Sequence, residues 1–65
     1  MVVRLKKLGP QGHREFNLTL KEAREAVDAD PGKYLIVDEE TERIIKSIHL
    51  RDGQKIVMVP VIEGG

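Results

Sequence analysis

The last predicted strand of the chain reads Lys55-Ile56-Val57-Met58-Val59-Pro60-Val61-Ile62. Successive side chains of a strand point to opposite faces of a sheet, so one face of this strand carries Val57, Val59 and Val61. Both faces are apolar, although the solvated side of an antiparallel sheet normally carries polar residues. Two interpretations remain open. A single helix can cover only one side of the sheet, so either some of these valines or isoleucines form an exposed docking surface, or a loop such as residues 46–51 folds over the other side.

The first eighteen residues predict a β-hairpin. Residues 1–8 alternate with a period of two, which is typical of a half-buried strand: Met1, Val3 and Leu5 share one face. Gly9-Pro10-Gln11-Gly12 has the composition of a turn. The strand pattern then resumes and continues to Leu18.

A short helix is predicted after the hairpin. Thr19 and Glu22 have the spacing of a capping box, in which each side chain accepts a hydrogen bond from the other residue's backbone N–H. The apolar stripe of this helix consists of Leu20, Ala23 and Val27. Residues 28–32 end the pattern, and Pro31-Gly32 terminates the helix after about ten residues.

Three further strands complete the chain. Residues 34–37 form an apolar, β-branched run, and the acidic turn of residues 38–40 separates it from a short strand over residues 41–45. Residues 47–50 are ambiguous, and Asp52-Gly53 is a strong turn signal before the last strand. The order β-β-α-β-β-β predicts an α+β fold, with one short helix packed on one face of a mixed sheet.

Composition restricts the function. The 65 residues suffice for a single domain over residues 1–65, and no cysteine is present. His13 and His49 are too far apart in sequence to suggest a shared metal, so we expect no metal site. Eleven basic and eleven acidic residues balance, and the aromatic residues are few, which argues against a nucleic-acid partner. Without an apolar run of membrane-spanning length or a signal-peptide pattern, we expect a cytoplasmic protein with no membrane partner.

The last strand is followed by Glu63-Gly64-Gly65. Glycine lacks a Cβ atom, so a diglycine can lie extended in a passage too narrow for other residues. Residues 62–65 are therefore predicted to form a flexible tail that can carry a terminal carboxylate into the active site of another protein. The alternative is a solvated tail without chemistry.

Residues 50–65, with their Asp-Gly turn, apolar strand, Pro-Val step and diglycine, resemble the end of prokaryotic sulfur carriers. This family includes the small subunit of molybdopterin synthase, the thiamine sulfur carrier and related ubiquitin-like modifiers. The resemblance implies a ubiquitin-like β-grasp fold. Glu63 stands where ubiquitin has arginine, which implies an activating partner different from that of ubiquitin.

The resemblance also implies a function. An ATP-dependent adenylating enzyme would activate the carboxylate of Gly65, with Gly64 beside it, for sulfur transfer as a thiocarboxylate or for conjugation to a target protein through an isopeptide bond. The partners are that enzyme and a sulfur donor or a conjugation target. The predicted docking residues are Val57, Val59, Val61, Ile62 and Glu63. The chain itself would be no enzyme and would hold no cofactor, since the partner uses the ATP.

Two rival functions remain open. The chain could be a non-catalytic β-grasp interaction module whose tail does no chemistry. It could also be a small enzyme, but no phosphate-binding loop, nucleophile–base pair or metal constellation is visible in the sequence.

Overall fold

The computed structural model describes residues 2–29 and 32–61. Its elements, in chain order, are β1 (Val3–Gly9), β2 (Gly12–Leu18), α1 (Leu20–Ala29), β3 (Tyr34–Asp38), β4 (Ile44–Ile45), a 3₁₀-helix (Ser47–His49) and β5 (Lys55–Pro60). The strands form one sheet in the order β2-β1-β5-β3-β4. Strand β5 is parallel to β1 and antiparallel to β3, so the sheet is mixed. This β-grasp-like α+β fold confirms the predicted fold class and element order.

The core lies between the helix and one face of the sheet. Residues paired in register across neighbouring strands share a face. Leu5 pairs with Ile56, and Met58 pairs with Ile36, so these four side chains point to the same side. The buried core residues are Val3, Leu5, Ala23, Ile36, Leu50, Ile56 and Met58. We call the side with these residues the helix face, and the other side of the sheet the open face.

The helix begins as predicted. The backbone N–H of Glu22 donates to Thr19 Oγ1 at 3.1 Å, and the backbone N–H of Thr19 donates to Glu22 Oε1 at 3.0 Å. These two bonds form the predicted capping box. The bond that the Thr19 backbone N–H donates to the carboxylate, assisted by the Thr19 hydroxyl, holds the pKa of Glu22 below its ordinary value. Within the predicted stripe Ala23 is fully buried, and Leu20 and Val27 pack against the core as half-buried residues.

Replacement of the cap residue is expected to weaken the fold. Thr19→Ala removes the oxygen that accepts from the Glu22 backbone, and loss of such a cap costs about 1 kcal/mol of unfolding free energy. Urea unfolding followed by circular dichroism measures this change. Thr19→Ser, which keeps the hydroxyl, is the matched control and should retain most of the stability. Equal losses in the two variants would contradict a capping role.

The predicted strand over residues 41–45 is shorter than expected, because β4 contains only Ile44 and Ile45. Asp38 Oδ1 accepts hydrogen bonds from the backbone N–H groups of Glu40 and Thr41, at 2.8 and 3.3 Å. Glu42 has a positive φ of 58°, which is incompatible with an extended strand. The side chain of Asp38 thus holds a turn over residues that an apolar pattern alone assigns to a strand.

Residues 46–51 lie on the helix side of the molecule. Leu50 is 2% exposed and belongs to the core, and the 3₁₀-helix before it contacts α1. The alternative in which this loop covers the side of the sheet opposite the helix is therefore wrong. The cause is the burial of one apolar side chain: Leu50 joins the core cluster that contains Ala23, and this places the loop on the helix face.

Candidate functional site

Strand β5 occupies the centre of the sheet, between β1 and β3. Since β5 is parallel to β1, its last residues lie at the end of the sheet that carries the turn between β1 and β2. The backbone N–H of Val61 donates to the carbonyl of Lys33 at 2.9 Å, one residue beyond the end of β5. The chain is therefore anchored through Val61, and residues 62–65 follow directly from this position.

Val57 and Val59 lie on the open face of the sheet. Val57 pairs with Val37, and Val59 pairs with Leu35, so the helix covers none of these four side chains. Val57 and Val59 are half-buried, and Val61 is 41% exposed. Their positions match the predicted apolar second face of the last strand, and whether a partner binds there stays a prediction.

The other predicted site residues are in the tail. Ile62 and Glu63 were predicted to contact a partner, and Gly64 and Gly65 to undergo activation. All four lie outside the described residues. The structure shows the position from which these four residues start, which is the anchored end of the central strand.

The open face carries an apolar cluster that is larger than the sequence prediction. Val37 pairs with both Val57 and Ile44, which extends the cluster from β5 across β3 to β4. Ile44 is 66% exposed and Leu35 is 42% exposed. We call this cluster the open-face patch: Leu35, Val37, Ile44, Val57 and Val59. An exposed apolar cluster of this kind is typical of a docking surface.

A charged strip adjoins the patch on the same face. Lys6 pairs with Val57 on one side and with Glu15 on the other. Its Nζ lies 3.9 Å from Glu15 Oε1 and 3.9 Å from Glu39 Oε1. The strip consists of Arg4, Lys6, Glu15, Glu39 and Lys55, and a depression of about 360 Å³ lies over these residues. The strip has no signal in the sequence, because the pairing of strands that are distant in sequence brings its members together.

A hydrogen-bond network holds the start of β5 against the turn between β3 and β4. Gln54 Nε2 donates to Asp38 Oδ2 at 2.7 Å, and Gln54 Oε1 accepts from the backbone N–H of Arg51 at 2.9 Å. The hydrogen bond from Gln54, assisted by those from the Glu40 and Thr41 backbones, holds the pKa of Asp38 below its ordinary value despite partial desolvation. The network therefore fixes where the central strand begins.

The fold should lose stability in acid through this carboxylate. Because the pKa of Asp38 is lower in the folded state, its contribution is present above the ordinary aspartate pKa and disappears as pH falls through the lowered value. Asp38→Asn should lower the unfolding free energy at pH 7 by up to about 1 kcal/mol. The difference from the unsubstituted chain should shrink as pH falls below the ordinary value.

Urea midpoints measured between pH 7 and pH 2 test this expectation. Asp52→Asn is the matched control, since within residues 2–29 and 32–61 the Asp52 side chain makes no hydrogen bond or ion pair. A stability difference for Asp38→Asn that stays constant with pH would contradict the proposed role of its charge.

Other kinds of site have less support in the described part of the chain. There, no group of three or more His, Cys, Asp or Glu side chains could hold a metal ion. Over the same residues, no helix is long and apolar enough to cross a membrane. The open-face patch, the charged strip and the anchored end of β5 are thus the features from which a function can be argued.

Comparison with known proteins adds no relative: no family model, no curated protein and no solved structure matches the chain.

Proposed function

We propose that this chain is a ubiquitin-like carrier whose Gly65 carboxylate is activated by an ATP-dependent enzyme. The observation that carries the proposal is the placement of β5, the central strand, which is anchored through Val61 and is followed in sequence by Ile62-Glu63-Gly64-Gly65. A strand held on both sides offers a rigid base for a tail whose last two residues have no side chains. The proposal applies wherever Gly65 is the terminal residue, either as translated or after cleavage of a precursor.

The reach of the tail suits a buried nucleotide site. An extended chain spans at most about 3.3–3.6 Å per residue, so residues 62–65 can project a carboxylate roughly 13 Å beyond Val61. The open-face patch lies beside β5 and gives the enzyme a surface to bind while the tail enters its active site. The enzyme would thus bind the open-face patch, to which β5 contributes Val57 and Val59, while the tail that follows β5 carries the carboxylate into its active site.

Activation is a balanced exchange at the α-phosphate of ATP. A carboxylate oxygen of Gly65 attacks this phosphorus, the bond to the β-phosphate oxygen breaks, and pyrophosphate leaves. The product is an acyl-adenylate, whose carbonyl carbon accepts a nucleophile because AMP is a good leaving group. Basic groups and Mg²⁺ of the enzyme stabilise the charge on the transferring phosphoryl group.

Two fates of the acyl-adenylate are compatible with this site. In sulfur transfer, a partner persulfide displaces AMP to give an acyl disulfide, and a second partner thiol then releases the thiocarboxylate of Gly65 while forming a disulfide on the partner. In conjugation, an enzyme cysteine displaces AMP to give a thioester, and a lysine amine of the target then displaces that thiol and forms an isopeptide bond. Both fates use the same tail.

The intact mass of the chain tests the proposal. The purified chain is incubated with ATP, Mg²⁺ and an extract of its source organism, and its mass and covalent products are read by mass spectrometry. Replacement of oxygen by sulfur at Gly65, or an amide from Gly65 to a lysine, supports the proposal and identifies the fate. An unmodified chain that instead binds a protein through the open-face patch would favour the passive interaction module. A reaction without ATP forms the control.

A further inference from the structure

We infer that the open face recognises an activating enzyme whose contact surface carries carboxylate groups opposite Arg4 and Lys55, beside an apolar group that covers Val37 and Val57. This inference rests on the proposed function and adds the chemistry of the partner and the residues that select it.

The first observation is a pair of like charges in register. Arg4 on β1 pairs directly with Lys55 on β5, so both cations stand side by side on the open face. Like charges in this position destabilise a sheet. Within the described residues neither cation forms an ion pair, since the nearby Glu15 and Glu39 are both directed to Lys6. The depression holds three cations and the two carboxylates of Glu15 and Glu39, so one positive charge stays uncompensated among these residues and an external anion would compensate it.

The second observation is the shape and surroundings of the pair. Both cations line the depression of about 360 Å³ over the charged strip. Lys6 and Val57 form the next open-face row along the strands, a step of two residues or about 7 Å. An acidic group above Arg4 and Lys55 and an apolar group above Val57 and Val37 would therefore belong to one contact surface. A protein supplies both chemistries together, whereas a nucleic acid has little to bury on Ile44 and Leu35.

The third observation is the direction in which β5 runs, from the charged pair towards the tail. Lys55 begins β5, and Val61 lies six residues further along, a span of about 20 Å. The acidic contact at Lys55 and the apolar contact at Val57 follow one another along this strand towards Val61, which sets the direction in which the tail enters the enzyme. Electrostatic complementarity of this kind increases the association rate and suppresses wrong partners.

Steady-state adenylation with the purified activating enzyme tests this inference, with Arg4→Glu as the diagnostic variant. The substitution converts the repulsive pair with Lys55 into an attractive one, so the thermal midpoint at low salt should rise or stay unchanged. The KM for the chain should nevertheless increase at least about tenfold, because a carboxylate would then face the carboxylates of the enzyme. The kcat should stay within about twofold, since the variant leaves Gly65 untouched.

Arg24→Glu is the matched control. It makes the same charge change at an exposed position of α1, on the opposite side of the sheet. Its KM should stay near that of the unsubstituted chain. Raising the salt concentration should increase the KM of the unsubstituted chain more than that of Arg4→Glu, because salt screens the contact that the variant has already lost.

The outcomes separate this inference from the proposed function. An unchanged KM for Arg4→Glu, or an equal increase for Arg24→Glu, overturns the assignment of the acidic contact and leaves activation at Gly65 intact. Failure of any enzyme to adenylate the unsubstituted chain overturns both. A selective increase of KM in a variant that is at least as stable as the parent supports the inference, since a merely structural role would lower stability as well.

Discussion

Replacement of Gly65 by alanine, or addition of one residue after it, is expected to reduce activation by roughly a hundredfold or more. The reason is geometric, because a misplacement of about 1 Å at a reacting group can cost this factor. A Cβ atom widens the tip, and an added residue moves the carboxylate by up to about 3.6 Å. Release of pyrophosphate in the presence of the purified enzyme measures the effect.

A matched glycine substitution controls for changes near the same end of the sheet. A Cβ atom built on Gly9, in the last position of β1, would meet the carbonyl oxygen of Gly12 at 3.9 Å, an ordinary contact. Gly9→Ala should therefore fold and be activated nearly as well as the parent chain. All variants should keep the same circular dichroism spectrum. Activation of a chain extended past Gly65 at an undiminished rate would contradict the account.

The second large effect is expected in the core of the sheet. Ile56 lies on the central strand and is 1% exposed. Ile56→Ala removes buried carbon atoms and leaves a cavity, so it should lower the unfolding free energy by about 3 kcal/mol. A folded chain of this length has roughly 3–10 kcal/mol in total. The variant should therefore be marginally folded, with a much lower urea midpoint and thermal midpoint.

Ile44→Ala is the same substitution on the opposite face. Ile44 is 66% exposed on β4, so its replacement should change the unfolding free energy by less than about 0.5 kcal/mol. Comparison of the two variants thus separates the stability lost through a cavity in the core from the stability lost when a surface side chain is shortened. Similar losses for Ile56→Ala and Ile44→Ala would mean that the helix face and the open face are wrongly assigned.

Local signals were sufficient for most of the fold. The period of two before Gly9 predicted β1, and the spacing of Thr19 and Glu22 predicted the start of the helix, because both depend on neighbouring residues. Asp52-Gly53 predicted the turn before β5, where Gly53 has a φ of 81° that favours glycine. Strands, helix starts and turns that are fixed by adjacent residues can be predicted from the sequence with little ambiguity.

Features that depend on a polar side chain or on distant residues were harder to predict. The length of β4 depends on the Asp38 side chain, which bonds the backbone of the following turn. The side to which residues 46–51 fold depends on the burial of Leu50 against the core. Neither dependence is visible in a hydrophobic pattern. The bonds to Asp38 come from the backbone two and three residues further on, but a polar side chain accepts them, and the burial of Leu50 requires the three-dimensional positions of other elements.

The candidate site was predicted in part. The apolar second face of the last strand pointed to Val57 and Val59, but their neighbours Leu35 and Ile44 emerged only with the strand register. Residues 34–37 are also apolar on both faces, so the same argument could have predicted that β3 contributes to the apolar cluster. The pair of Arg4 and Lys55 had no sequence signal, because fifty residues lie between the two in the chain.

The central claim is that the carboxylate of Gly65 is adenylated. The most direct measurement uses the purified chain, its activating enzyme and ATP labelled at the α-phosphate, followed by peptide mapping of the labelled product. The account predicts a labelled AMP group on the peptide that contains Gly65, and loss of this label on addition of hydroxylamine. Label on a lysine or an acidic side chain, or none while the enzyme is bound, would contradict it.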